Sequence, residues 1–458
     1  MLDFKQPSSF LAERDWICSF IFGEILGLPL RISNETSSDY TIHHANRKLT
    51  IPDVFFSSAS SNWLELESLP ELPLACWSVS TSGLDVNLVD DVVPVLFGAP
   101  GFYLDVTGNG YLNLDIFGSV FFMLSRYEET VKSERDQHDR FPAIASIAQK
   151  ADFLNRPIVD EYVGILFSAM TRIWPRLKRK EKQGKVLVTC DVDVPYDDTL
   201  KTLPCIAKRV AGDLLKRHSW SKAFKTLNNA LAQRRGNWSH DPNNTFDWIM
   251  DANEAVNSQV TFFFVSGRSS IYDVSYNLDE PFIKNLLLKI NQREHQIAMH
   301  GSYNAVCDSV QLRAENILLQ QTCAQFGINQ DISSNRQHYL RWDSKKTPSC
   351  LDAAGFSYDS TGSFADAPGF RYGTAHSFQM WDWGKCCALK ISQLPLIVME
   401  VSAMDDLYLG LGHTDKAIDL MLTLKKRAMQ FGGDFTLLWH NSNFTTEKDR
   451  EFYLALIQ

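Results

Sequence analysis

The sequence predicts an α/β protein of two domains, and three observations carry that prediction. From residue 186 onward, short β-branched or aromatic runs alternate with stretches at helical spacing, the pattern of parallel strands with covering helices. A chain of 458 residues, 45% of them hydrophobic, can bury two ordinary cores. The run R-L-K-R-K-E-K-Q-G-K at 176–185 is a charge run ending in glycine and lysine, most simply an exposed linker. The expected division is a smaller mixed α/β N-terminal domain over 1–175, a linker over 176–185 and a larger α/β domain over 186–458.

In the first part, 10–26 reads as an amphipathic helix, opened by Ser8 or Ser9 as cap and stopped by Gly27 with Pro29 beyond. Residues 40–44 and 48–56 look like short strands around a turn. Ile116, Val120, Met123, Leu124 and Tyr127 recur at helical spacing, so a helix is expected over 115–130. The polar set at its end, Arg126, Glu128, Glu129, Asp136, His138, Asp139 and Arg140, reads either as a second ligand site or as a solvated helix end with ion pairs. The second reading is preferred, because nothing there has metal-ligand spacing. A further helix is expected over 159–172.

In the second part, 186–195 reads V-L-V-T-C-D-V-D-V-P, a buried strand running into two aspartates. At period-two spacing Asp191 and Asp193 share one side of the strand end. They suggest a metal site or general base; alternatively Asp193 caps a turn and Asp191 pairs with a distant arginine. Residues 200–235 are rich in helix formers and read as a helical insertion, a wall of a groove or a solvated pair. V-T-F-F-F-V at 260–265 is a fully buried strand, followed by helix 281–291, strand 296–299, helix 310–326, helix 415–431 and strand 435–439.

Composition narrows the partners. A net charge of -9 with a pI near 5.7 argues against nucleic acid, since a phosphate backbone wants a basic face. The nine cysteines form no CxxC and no regular framework, which reads as a reducing compartment without disulfides. The N-terminus lacks a basic start followed by an apolar core, and no stretch of eighteen uncharged apolar residues occurs, so no membrane span is expected and a cytoplasmic location is. Oligomeric state is not legible.

Several later segments place polar residues just after an apolar run: His300-Gly301-Ser302-Tyr303-Asn304, Arg336-Gln337-His338-Tyr339-Leu340-Arg341, Tyr358-Asp359-Ser360-Thr361, Gly369-Phe370-Arg371-Tyr372-Gly373-Thr374, and Trp439-His440-Asn441. With the two aspartates, and in this order, they resemble the five motifs of the NodB-type polysaccharide deacetylases, carbohydrate esterase family 4, most closely a bacterial branch with an extra N-terminal domain of unknown function. The resemblance covers roughly 185 to the C-terminus, and it implies an incomplete (β/α) barrel whose strand ends converge on one mouth.

By that resemblance Asp191 is the general base, Asp193 and His300 are ligands of a divalent metal, zinc with cobalt or nickel as alternatives, and Asn304 stands in the place of the second histidine. Val192 separates aspartates that the family keeps adjacent, and asparagine offers such a metal less than imidazole does. Three ligations stay open: Asn304 through its amide oxygen, recruitment of His338, or no catalytic metal. His440 would protonate the leaving group and Arg336 would orient Asp191. Tyr303, Tyr339 and Trp439 offer flat faces for sugar rings or belong to the core; Asn441 falls beside His440 on the substrate side; Asp359 and Arg371 could pair to shape the pocket or serve as scaffold.

The expected function is hydrolysis of an N- or O-acetyl group on a sugar or glycan precursor. The alternatives are a barrel that binds a glycan or partner without catalysis, and a hydrolase of another non-peptide C-N bond.

Overall fold

The computed structural model describes residues 1–200 and 202–458; residue 201, inside the expected helical insertion, lies outside the described residues. A nine-stranded sheet dominates the C-terminal part. Its order is Phe378–Asp382, Cys387–Gln393, Tyr358–Asp359, Ser334–Gln337, Gln296–Gly301, Val260–Val265, Val186–Asp191, Phe435–Leu438, Val398–Met399. Every pairing is parallel except the hairpin of the first two strands. Strands as apolar as V-T-F-F-F-V belong at the centre of such a sheet, where both faces are covered. Leu286 and Ile290 of helix Pro281–Gln292, Leu312 and Leu319 of Ser309–Gln325, and Met421 and Leu424 of Asp415–Gln430 pack into the same core as Phe262 and Phe264.

The N-terminal part has its own six-stranded mixed sheet, ordered Leu30–Glu35, Leu2–Pro7, Asp39–His44, Arg47–Pro52, Gly110–Leu114, Gly98–Leu104. Its apolar core does not end with it, for Phe364, Tyr372, Phe378 and Trp381 from the later sequence are buried in the same cluster. The stretch expected as an exposed linker carries no helix or strand, yet it is not detached: the Lys180 amide donates to Leu26 O (2.9 Å) and the Lys185 amide to Asp434 Oδ1 (2.9 Å).

Several expected elements differ in detail. The helix starting at Leu11 is α-helical to Cys18 and continues as π-helix to Ile25. No serine caps it; Phe10 occupies the N-cap in the left-handed region (φ 50°), and Ser9 instead accepts from the buried Arg14 side chain. The strand expected to reach residue 56 stops at Pro52, and Phe55–Ala59 is a short helix. The helix expected over 115–130 breaks into Ile116–Leu124 and Tyr127–Val131 at Arg126 (φ 54°), because Arg126 turns inward to pair with Glu128 and Glu129. The insertion forms two helices, Leu203–Leu215 and Trp220–Arg234. Phe246–Glu254, the 378–393 hairpin and Glu447–Ile457 had no expectation attached.

Candidate active site

The strands deliver their polar residues to one place. Asp191 ends its strand, His300 lies near the end of the next but one, Arg336 sits in the strand beyond, and His440 and Glu400 follow the last two strands of the opposite edge. Residues drawn from strands so far apart in the order meet only because the sheet curls. Three of these residues, Asp191, His300 and His440, line a cavity of about 170 Å³ together with Asp193, His338, Tyr339, Leu340, Met399, Val401, Tyr408 and Arg140.

Asp193 is its centre. Strand pairing ends at Asp191, but the Val192 amide still donates to Phe263 O (2.9 Å), so the chain stays extended long enough to bring the second carboxylate over the mouth. Asp193 Oδ1 lies 3.5 Å from His300 Nε2 and 3.6 Å from His338 Nε2, while Oδ2 lies 3.7 Å from His440 Nε2. Burial alone would raise its pKa, but the imidazoles of His338, His300 and His440 hold the carboxyl well below the usual range. Oδ1 is buried without a hydrogen-bond partner among the described residues.

Two of the imidazoles are aimed from behind. His300 Nδ1 donates to Arg336 O (2.8 Å), which leaves Nε2 as the free ring nitrogen. His338 Nδ1 faces Asp273 Oδ1 (3.1 Å), and Asp273 is itself fixed by the amides of Tyr303 (2.7 Å), Ser269 (2.7 Å) and Ser270 (2.8 Å). Outer partners of this kind set the tautomer and direction of metal-binding histidines.

Asp193, His300 and His338 each offer one atom, all within 4.8 Å of one another. Tetrahedral bonds of about 2.0 to 2.1 Å place ligand atoms about 3.3 to 3.4 Å apart. The separations from Asp193 are slightly wider and close to that requirement, so the donor set fits a divalent cation.

Two ion pairs flank the group. Asp191 Oδ1 accepts from Arg336 Nη1 (2.8 Å), and Oδ2 is 3.6 Å from His300 Nε2. Arg336 is fully buried, tied also to Thr189 Oγ1 (2.9 Å) and Ser360 O (2.9 Å), with its guanidinium 4.5 Å from the Phe263 ring centre. His440 Nδ1 pairs with Glu400 Oε1 (2.7 Å). Burial works against the imidazolium, but the Glu400 carboxylate, with Asp193 and Asp191 beyond, pushes its pKa up to about 10.

The remaining expected residues scatter. Asn304 lies outside the ligand group: it is exposed, and its Nδ2 donates to Ser269 O (2.7 Å). Trp439 is no platform, being 1% exposed and stacked on Phe444. Asn441 is buried and braces loops, donating to Val194 O (2.9 Å) and Asn243 O (2.7 Å). Asp359 and Arg371 do not pair. Asp359 is held by Asn335, Thr361 and Gln393, whereas Arg371 pairs with Glu129 (2.7 Å). Tyr339 is on the cavity wall; Tyr303 is nearly buried beneath Arg341.

Glu400, Asp273 and Arg140 are additions. Glu400 ends L-P-L-I-V-M-E, an apolar run followed by a polar residue like the other strand ends, so that signal was available. Asp273 sits in a loop with no such mark. Arg140 and its neighbours were expected to be solvated, but Arg126, Glu128, Glu129 and Arg140 are all buried.

A larger cavity, about 730 Å³, opens at the opposite end of the strands beside Lys185, Gln259, Gln296, Ser334 and Tyr358. Its polar lining is hydroxyls and amides with Lys185 and Asp359, and no imidazole lines it. The described residues contain no helix long and apolar enough to cross a membrane.

Among known families, one of unknown function, DUF7033, matches residues 3–175. No curated protein matches the chain. A solved structure described as a "putative polysaccharide deacetylase from Mycobacterium smegmatis" is similar at 19% identity and a TM-score of 0.37, over 61% of this chain and 85% of that one.

Proposed function

We propose that the chain is a metal-dependent hydrolase that removes acetyl groups from a carbohydrate or glycan precursor. One observation carries the reading: a buried carboxylate oxygen without a hydrogen-bond partner among the described residues, Asp193 Oδ1, faces Nε2 of His300 and of His338, with a carboxylate–arginine pair on one flank and an imidazole–carboxylate pair on the other. A binding pocket has no use for all of these together.

Asp193, His300 and His338 are the residues that would hold the cation, with His338 in the role that the sequence left open. Nitrogen and carboxylate donors suit zinc, cobalt or nickel. A cation bound there supplies positive charge that polarises an acyl carbonyl and acidifies a water. Asp191, oriented by Arg336, takes the proton of the attacking water. His440, whose imidazolium the Glu400 carboxylate favours, delivers a proton from Nε2 to the departing amine or alkoxide, while Glu400 fixes the ring through Nδ1. Tyr339 and Tyr408, on the cavity wall, offer surfaces for the sugar ring.

The test separates base from ligand. Asp191→Asn keeps shape and removes basicity, so acetate release from an acetylated amino sugar should fall by roughly a hundredfold or more with zinc content intact. Asp193→Asn should lose zinc and activity together. A zinc-loaded wild type that releases no acetate from a broad panel of acetylated sugars and nucleotide sugars, yet binds one of them as tightly as Asp191→Asn does, would overturn the reading.

A further inference from the structure

We propose that the N-terminal part of the chain is built into the candidate site: the loop over residues 136–141 sets the turn that presents His338, with Arg140 and Arg341 as positioning residues. The proposal rests on the ligand set given above.

The turn needs holding. Directly after His338, Tyr339 (φ 62°) and Leu340 (φ 54°) both lie in the left-handed region, and neither is glycine. Two consecutive side-chain-bearing residues there cost free energy, and such a turn persists only where its surroundings enforce it. The turn His338–Leu340 follows directly on the strand Ser334–Gln337, and its shape bears on where the His338 ring stands relative to Asp193.

What enforces it comes from about two hundred residues earlier in the sequence. Arg140 Nη1 donates to Tyr339 O (2.8 Å), the carbonyl in the middle of the strained pair. In return Arg341 donates through Nε to His138 O (2.9 Å) and through Nη1 to Tyr303 O (2.6 Å). Each side of the contact thus sends one arginine onto a carbonyl of the other. Arg140 is aimed before it arrives: Asp136 Oδ2 accepts from Nε (2.8 Å) and lies 2.7 Å from Nη2, and Asp136 Oδ1 accepts from the amides of His138 and Arg140 (both 2.9 Å). The His138 ring packs 4.6 Å from the Tyr339 ring centre, with its Nδ1 3.0 Å from Tyr303 OH. Arg140 is 7% exposed and lines the same cavity as Asp191, Asp193, His300, His338 and His440.

The clasp is not what joins the two parts of the chain. Glu129 to Arg371 (2.7 Å) and Asp160 to Thr374 (2.5 Å) tie them elsewhere, inside a shared apolar core. Opening the clasp should therefore disturb the His338 turn more than the fold. Loss of an outer partner of a metal ligand typically weakens metal binding by about 10- to 100-fold.

The experiment titrates the full-length chain with cobalt(II) and follows its visible absorption, in wild type, Arg140→Ala, Arg341→Ala, the double variant, Asp136→Asn and His338→Ala. Arg140→Ala and Arg341→Ala should each lower cobalt affinity by roughly 10- to 100-fold with an altered band shape, at a metal-free thermal midpoint within a few degrees of wild type. The double variant should be no worse than the worse single one, because the two arginines serve one contact. Asp136→Asn leaves the guanidinium in place and unaims it, so it should show a smaller loss of the same kind, and it carries the test if Arg140→Ala does not fold. Wild-type affinity and band shape in Arg140→Ala and Asp136→Asn, alongside loss of binding in His338→Ala, would overturn this proposal and leave the ligand set standing. A wild type that takes up no cobalt would overturn both.

Discussion

Two clusters of buried charge lie in this molecule, and they differ in what their carboxylates lack. In the cluster between the N-terminal part and the large sheet, Glu129 Oε1 accepts from Arg126 Nε (2.8 Å) and Arg371 Nε (2.9 Å), and Oε2 accepts from Arg371 Nη2 (2.7 Å) and Ser344 Oγ (2.6 Å). Glu128 is equally saturated by Arg126, Lys132 and the Ile147 amide. In the cavity cluster, Asp193 Oδ1 and Glu400 Oε2 are buried with no hydrogen-bond partner among the described residues. Leaving a buried acceptor unmet costs about 1 to 3 kcal/mol, so such an atom calls for an explanation that a saturated one does not. The first cluster has spent its coordination on the fold. The second has coordination left to give.

The largest expected effect is on the saturated side. Glu129→Gln leaves Arg126 and Arg371 buried against a neutral group, and breaking a buried pair in this way costs about 3 to 5 kcal/mol. Urea unfolding at pH 7 measures it, and a loss under about 1 kcal/mol would mean that the cluster contributes little. The pH dependence has a definite sign. Burial alone would raise the Glu129 pKa, but Arg371 and Arg126 bring it from 4.5 down to about 2. A carboxylate depressed in the folded state contributes stability that is present above its unfolded pKa and is lost as pH falls through the folded one. Wild-type stability should therefore fall between about pH 4.5 and 2, and the glutamine variant should lack that share of the fall.

On the unsaturated side the same kind of substitution should act on binding instead of folding. Asp193→Asn keeps the side chain's shape at a position 28% exposed and supporting no backbone contact, so its cost to metal-free stability should be smaller than that of Glu129→Gln, limited to the attraction of the neighbouring imidazoles. Zinc affinity, measured by chelator competition, should fall at least about 100-fold, since the carboxylate is the only anionic donor of the three. A variant that unfolds like Glu129→Gln while keeping its zinc would erase the distinction between the clusters.

The sequence made the large sheet and the convergence at its mouth legible for a physical reason. Strands buried on both faces read as unbroken apolar runs, and a polar residue just beyond such a run must lie at a strand end, as Asp191, His300 and Glu400 do. Period-two spacing also puts His338 on the side of Arg336, so its candidacy as a ligand is readable from the sequence although its turn is not. The N-terminal sheet was hardly legible. Its edge strand Leu30–Glu35 is mostly exposed and polar, so neither alternation nor an apolar run marks it. The buried role of Arg126, Glu129 and Arg371 was illegible because their partners are up to 242 residues apart, and a charge is paired only by a contact that spacing cannot reveal. The same blindness left Trp439 open between platform and core: aromatic residues at a strand end read alike whether they face the cavity or, as here, Phe444 and Tyr453.

The smallest expected effect tests which position completes the ligand set. The spacing from His300 to Asn304 matches a histidine pair in the family that the sequence resembles, so Asn304→His would restore that pattern and, if residue 304 faced the metal, tighten zinc. The geometry says otherwise. Asn304 is exposed, its amide donates to Ser269 Oγ (2.9 Å) and its side chain to Ser269 O (2.7 Å), and the chain at that point is turning away into the 3₁₀ turn Ala305–Cys307. The donor atom that stands with those of Asp193 and His300 comes from another strand end, from His338, already aimed by Asp273. A histidine at 304 would gain nothing to bind and would give up one exposed hydrogen bond, so zinc affinity should stay within about twofold of wild type and stability within about 0.5 kcal/mol. His338→Asn in parallel should lose affinity by more than about tenfold, because it exchanges the imidazole for the poorer amide donor. If Asn304→His instead binds zinc tenfold more tightly, and His338→Asn binds as the wild type does, then residue 304 faces the metal and His338 belongs to the wall.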